Sequence, residues 1–136
     1  MNSSPELNQQ IVRTLLYYEI FDHPLTATEL HLLAPSSGVT REQVLDGLRG
    51  LVGAGILLSD RGFYHLRSSG SHLVPARIEG QQRARRRLQI AGLVAHVMKR
   101  CPFVRGVFLS GDLSKGIAHA SSDIDYVVIT APHRLW

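Results

Sequence analysis

The sequence predicts an α+β chain made of two small units in series. Three observations predict it. Two Thr-x-x-Glu/Gln signatures in the first half mark helix starts, at Thr26-Ala27-Thr28-Glu29 and Thr40-Arg41-Glu42-Gln43. A run of hairpin chemistry, Ile56-Leu57-Leu58-Ser59 then Asp60-Arg61-Gly62 then Phe63-Tyr64-His65-Leu66, follows the second of them. Late in the chain, Asp123-Ile124-Asp125 opens a β-branched strand that runs on to Thr130.

The first unit covers residues 1–67. Leu7, Ile11, Leu15 and Tyr18 recur at three- and four-residue spacing and predict an amphipathic helix. Phe21-Asp22-His23-Pro24 ends it, because proline disfavours helical geometry in the residue before it. A second helix starts at Ala27, with Leu25 and Leu30 as the hydrophobic staple, and stops near Pro35. The third starts after Thr40, with Val39 and Val44 as its staple. It carries Val44, Leu45, Leu48, Leu51 and Val52 on one face, and Gly53 or Gly55 closes it. Three helices followed by a hairpin make a winged helix.

Ser68-Ser69-Gly70-Ser71 and Pro75 mark residues 68–75 as a linker. The second unit, residues 76–136, opens with a helix over 76–100 that ends before Pro102, with Leu88, Ala91, Val94, Ala95 and Met98 as its apolar stripe. Cys101 is expected to be a buried or half-buried thiol at the helix end. Val104 to Leu109 is a short apolar strand, and Ser110 to Ala120 has room for a tight turn and about two turns of helix. The final residues, Ala131-Pro132-His133-Arg134-Leu135-Trp136, read as the first turn of another helix and hence as a truncated chain.

Composition narrows the class. Of 136 residues, 44% are apolar and 19% charged, which is a globular balance. The net charge of +4, with a pI near 9.7, suits a polyanionic partner. The single cysteine rules out an internal disulfide, and no Cys/His cluster has zinc spacing. The polar start, Met1 to Gln10, is no signal peptide, and no apolar run approaches the roughly 20 residues of a membrane span. A cytoplasmic protein without a membrane partner is the default expectation.

Asp123 and Asp125 carry the chemistry. Two apart on a strand, they leave one face, where their charges repel unless a cation intervenes. Mg2+ is the natural cation, a hard ion that takes carboxylate and phosphate oxygens. Upstream, Leu109-Ser110-Gly111-Asp112-Leu113-Ser114-Lys115-Gly116 follows an apolar strand and would open a helix. Glycine there lets backbone N–H groups approach a phosphate, and Lys115 offers a further cation. The plainer readings are a solvated strand start and an ordinary turn.

Together these residues resemble the signature of the DNA polymerase beta superfamily of nucleotidyltransferases. That signature is an apolar strand, Gly-Gly or Gly-Ser, a gap of about ten residues, and Asp-x-Asp on a second strand. Gly111 to Asp123 is similar in spacing, and Ser121-Ser122-Asp123-Ile124-Asp125 looks like the usual Ser-Asp-Ile-Asp segment. Tyr17 to Thr26 also resembles a bacterial branch in which a helical module precedes this domain. The resemblance implies a partial nucleotidyltransferase α/β core after the winged helix. It also implies transfer of a nucleoside monophosphate from a nucleoside triphosphate to an acceptor hydroxyl. Asp123 and Asp125 would hold Mg2+ as the catalytic pair, and Ser110, Gly111, Asp112 and Lys115 would bind the nucleotide.

Two departures bear on activity. Asp112 stands where the family has serine or glycine to hold the triphosphate, and no acidic residue follows Asp125 to supply the family's third carboxylate. The alternative is therefore a noncatalytic remnant that binds nucleotide or DNA. DNA binding by the winged helix is the less favoured role, because Arg41, Glu42, Gln43, Asp46 and Arg49 give its third helix no net basic character. The Arg83, Arg85, Arg86 and Arg87 run is either a solvated helix face or a phosphate-contacting one. The seven histidines show no ligand spacing. With only two core strands in view, self-association through an unpaired edge is expected.

Overall fold

The computed structural model describes residues 5–33 and 38–134. It is a mixed helix-and-sheet chain that divides into two compact units, residues 1–76 and 77–136. Pro35, expected to stop the second helix, lies outside the described residues.

In the first unit, α1 (Pro5–Glu19), α2 (Ala27–Leu33) and α3 (Arg41–Gly53) enclose one apolar core. Leu7, Ile11 and Leu15 come from α1, Leu30 from α2, and Val44, Leu48 and Leu51 from α3. Both capping boxes are formed. Thr26 N–H donates to Glu29 Oε2 at 2.8 Å and Glu29 N–H to Thr26 Oγ1 at 3.2 Å. Thr40 N–H donates to Gln43 Oε1 at 2.8 Å and Gln43 N–H to Thr40 Oγ1 at 3.3 Å. At the other end of α3, Gly55 takes φ +70°. Ile56 N–H donates to Leu51 O and Gly55 N–H to Val52 O, each at 3.0 Å, so the helix ends in a Schellman motif.

The hairpin is β2 (Leu57–Asp60) and β3 (Phe63–Leu66), paired antiparallel with Asp60 opposite Phe63. Its two-residue turn has positive φ at both Arg61 (49°) and Gly62 (83°), the requirement of a type I′ turn. One strand escapes the sequence pattern. Leu25–Thr26 forms β1, which pairs antiparallel with β3, so the sheet order is β1-β3-β2. Two residues show no alternation to read, and Leu25 already had a place as a staple.

The second unit differs from expectation in several details. Its helix, α4 (Leu73–Met98), starts earlier than residue 76, so the last three residues of the expected linker belong to its first turn. Proline is tolerated there because first-turn N–H groups have no intrahelical acceptor. The helix stops at Met98, a turn leads to Cys101, and that thiol is exposed, not buried. Of the expected stripe, Ala91 is buried and Val94, Ala95 and Met98 are half-buried, but Leu88 is 38% exposed, and Ala84 joins Ala91 in the core. Small residues at that spacing let the helix lie close against its neighbours.

β4 (Val104–Leu109) and β5 (Tyr126–Thr130) pair antiparallel, Leu109 opposite Tyr126, with a bulge between Val104 and Gly106. Leu109, Ile124 and Tyr126 pack on a small core of Ala84, Ala91, Leu113 and Ala118. The Tyr126 hydroxyl donates to Ala91 O at 3.1 Å. Phe108, Val127 and Ile129 are exposed. Residues 131–134 form a turn, with Arg134 N–H donating to Ala131 O at 3.2 Å, where the sequence suggested the start of a helix.

Candidate functional site

The segment between β4 and β5 holds every residue the sequence assigned to metal or nucleotide: Ser110, Gly111, Asp112, Lys115, Asp123 and Asp125. Two turns of helix were expected after Ser110, but the structure has one, α5 (Gly111–Ser114). Lys115 N–H donates to Asp112 O and Gly116 N–H to Leu113 O, each at 3.0 Å, and Gly116 turns the chain at φ +73°. Leu113, Ile117 and Ala118 are buried beneath the loop.

Asp123 and Asp125 precede β5 and do not form its first residues. Exposure still alternates there: Asp123 and Asp125 are exposed, while Ile124 packs on the core. Both carboxylates therefore leave the outer face. Ser110 N–H donates to Asp125 O at 2.9 Å, which carries the strand pairing one step past β4 and sets Asp125 beside the start of the loop. Gly111 has φ +65°, and a β-carbon built on it would stand 2.5 Å from Asp125 Oδ2. Glycine is needed there for both conformation and space. Among the described residues, no ion pair engages Asp123 or Asp125.

Asp112 is turned into the loop. Its Oδ2 accepts the Ser122 hydroxyl at 3.1 Å and lies 3.9 Å from His119 Nε2. Ser122 Oγ also accepts from His119 N–H at 2.9 Å. Asp112 thus ties the first turn of the loop to its last.

The arginine run divides by helical face. Arg87 donates through Nη1 to Ser122 O and through Nη2 to Ala120 O, the latter at 3.0 Å. Arg83 pairs with Glu79 at 2.7 Å and makes a long 3.5 Å contact with Ala118 O. Ala118 N–H in turn donates to Gly80 O at 3.1 Å. Gly80, Arg83 and Arg87 lie three and four residues apart, so one face of α4 holds the loop backbone, Gly80 by accepting an N–H and the two arginines by donating to carbonyls. Arg85 and Arg86 are exposed. The bracing role was not read from the sequence; the spacing of Arg83 and Arg87 was its only signal.

Ser110 makes no side-chain cap, and its N–H is taken by Asp125 O. Lys115 is exposed at the C-cap of α5. Among the described residues, no group of three or more His, Cys, Asp or Glu side chains is placed to hold a metal, and no helix is long and apolar enough to cross a membrane. Comparison of the chain with protein-family models, curated proteins and solved structures gives no match.

Proposed function

We propose that residues 77–134 form a polymerase-beta-type nucleotidyltransferase core, and that residues 5–67 form a winged helix in front of it. The observation that carries the reading is the seating of Asp125 Oδ2 against Gly111 at the mouth of an antiparallel strand pair. It joins the glycine of the phosphate-binding turn to the carboxylate pair, a relationship that residue spacing alone does not require.

Asp123 and Asp125 would hold Mg2+. The donor set suits that ion, which commonly takes one or two carboxylates and completes its shell with water and substrate phosphates. Two exposed carboxylates without a protein counter-cation fit such a role. When bound, the ion supplies charge neutralisation at the phosphates and orientation of the attacking oxygen. Gly111 would offer its backbone N–H to a phosphate, and Lys115 is an exposed cation in the same loop. The reaction is in-line attack by an acceptor hydroxyl on the α-phosphorus of a nucleoside triphosphate. The new P–O bond forms as the bond to pyrophosphate breaks.

No acidic residue follows Asp125 in these 136 residues. These residues therefore supply the metal-holding pair and not the third carboxylate that would take the proton of the attacking hydroxyl, and the reading is tested on nucleotide binding. The winged helix serves structure or protein interaction: Arg49 is paired with Asp46 at 3.1 Å, and Arg61 in the hairpin turn sits 3.9 Å from Asp60. The test is calorimetric titration of Mg2+–nucleoside triphosphate into the chain, repeated with Asp125→Asn.

A further inference from the structure

The charge of the chain is segregated between its units. Residues 1–76 carry five Lys/Arg against seven Asp/Glu, a formal −2, whereas residues 77–136 carry ten against four, a formal +6. Arg83 and Arg87 are committed to the loop and Glu79, and Arg77 is buried. Arg85, Arg86, Lys99, Arg100, Arg105, Lys115 and Arg134 remain exposed. A surplus of this kind on so small a unit is the electrostatic footprint of a polyanion.

Part of that surplus lines a concave surface. A groove of about 390 Å³ runs between the C-terminal half of α4 and β4, lined on the helix side by Gly92, Ala95, His96 and Lys99. Those positions are spaced i, i+3, i+4 and i+7, so they form one helix face. Arg105, Gly106, Val107 and Phe108 line the other wall, and no β5 residue contributes. Neither Asp123 nor Asp125 lines it. His96, Lys99 and Arg105 take part in none of the ion pairs among the described residues. Phe108 is 56% exposed, and its Cε2 lies 2.8 Å from where a Gly106 β-carbon would be, so the ring is laid along the strand and not turned into the core.

We propose that this groove binds a segment of single-stranded nucleic acid. Cations on both walls suit a phosphate chain that passes between them better than a single compact anion. An exposed aromatic ring is a stacking surface for an unpaired base, and a duplex would not offer that base. Gly92 supplies no side chain, and nothing stands within 4 Å of where its β-carbon would be, so the helix backbone can be approached closely there. An acidic peptide would satisfy the cations but would have no use for the ring. The inference does not rest on the transferase reading.

The experiment is fluorescence anisotropy of labelled oligouridylate and oligothymidylate with the full 136-residue chain, in EDTA so that no divalent ion bridges the aspartates. The expected result is binding that weakens steeply with salt, as counterion release requires. Lys99→Ala combined with Arg105→Ala should weaken it about tenfold or more at low salt and flatten the salt slope. Phe108→Leu should cost about fivefold or more while leaving that slope in place. Circular dichroism and thermal melting check that each variant is folded, and Arg41→Ala serves as a variant outside the groove. The proposal is overturned by absence of binding at low salt, or by equal loss on Arg41→Ala. It is also overturned by equal affinity for duplex, or by displacement of the probe as readily by uridine monophosphate or polyglutamate as by unlabelled oligonucleotide.

Discussion

Asp125 Oδ2 occupies the space that a side chain at position 111 would need: a β-carbon on Gly111 would stand 2.5 Å from it. The turn and the carboxylate are thus fitted to one another. Gly111→Ala should lower stability by about 2 kcal/mol or more, from the left-handed backbone at φ +65° and the displaced carboxylate together. It should also abolish Mg2+-dependent nucleotide binding. Gly116→Ala is the control, with φ +73° but nothing within 4 Å of its β-carbon. It should cost about 1 kcal/mol and leave binding intact. Thermal melting beside calorimetry reads both.

Arg87 holds the carbonyls of Ser122 and Ala120 with two nitrogens of one guanidinium. Arg87→Ala should cost about 1–2 kcal/mol, because these bonds carry charge but are partly open to solvent. Arg87→Lys should recover little, since an ammonium cannot present that fork. Hydrogen exchange should show lost protection at Ser122, whose N–H donates to His119 O at 3.2 Å. Unchanged protection would show that the loop stands without the arginine.

Much of this architecture is legible in the residues, and the exceptions have physical causes. Both capping boxes and the glycine end of α3 could be read because each is a local rule, with donor and acceptor a few residues apart. β1 was missed because a two-residue strand shows no alternation and is held by its pairing with β3, far along the chain. The stripe of α4 was read correctly at Ala91 but extended to Leu88 and not to Ala84, because periodicity favours large side chains and the packed position one turn before Leu88 is small. At the candidate site, the spacing of Gly111, Asp123 and Asp125 was visible. The bonds from Arg87 to Ser122 and from Ser122 to Asp112 were not, since they join residues 35 and 10 positions apart by tertiary placement alone.

Asp112 accepts the Ser122 hydroxyl, and an amide oxygen can do the same. Asp112→Asn should therefore preserve the melting temperature and, by removing a negative charge beside the phosphate turn, tighten nucleoside triphosphate binding about twofold to fivefold. Weaker binding by a stable variant would mean that the carboxylate helps hold the metal.

Val127 and Ile129 are each 50% exposed, on a strand whose one partner among the described residues is β4. A two-stranded sheet with an apolar, uncharged outer strand is open to pairing with a second copy. Size-exclusion chromatography should show concentration-dependent self-association, and Val127→Lys should reduce it. A monomer at every concentration would show that the edge is covered.

The most direct measurement of the central claim is calorimetric titration of nucleoside triphosphate into the chain, with and without Mg2+, beside Asp123→Asn and Asp125→Asn. Binding that requires Mg2+ and is lost in both folded variants is the predicted result. Binding that is indifferent to the metal, or that survives both substitutions, would contradict the assignment of Asp123, Asp125 and Gly111 to a nucleotidyltransferase site.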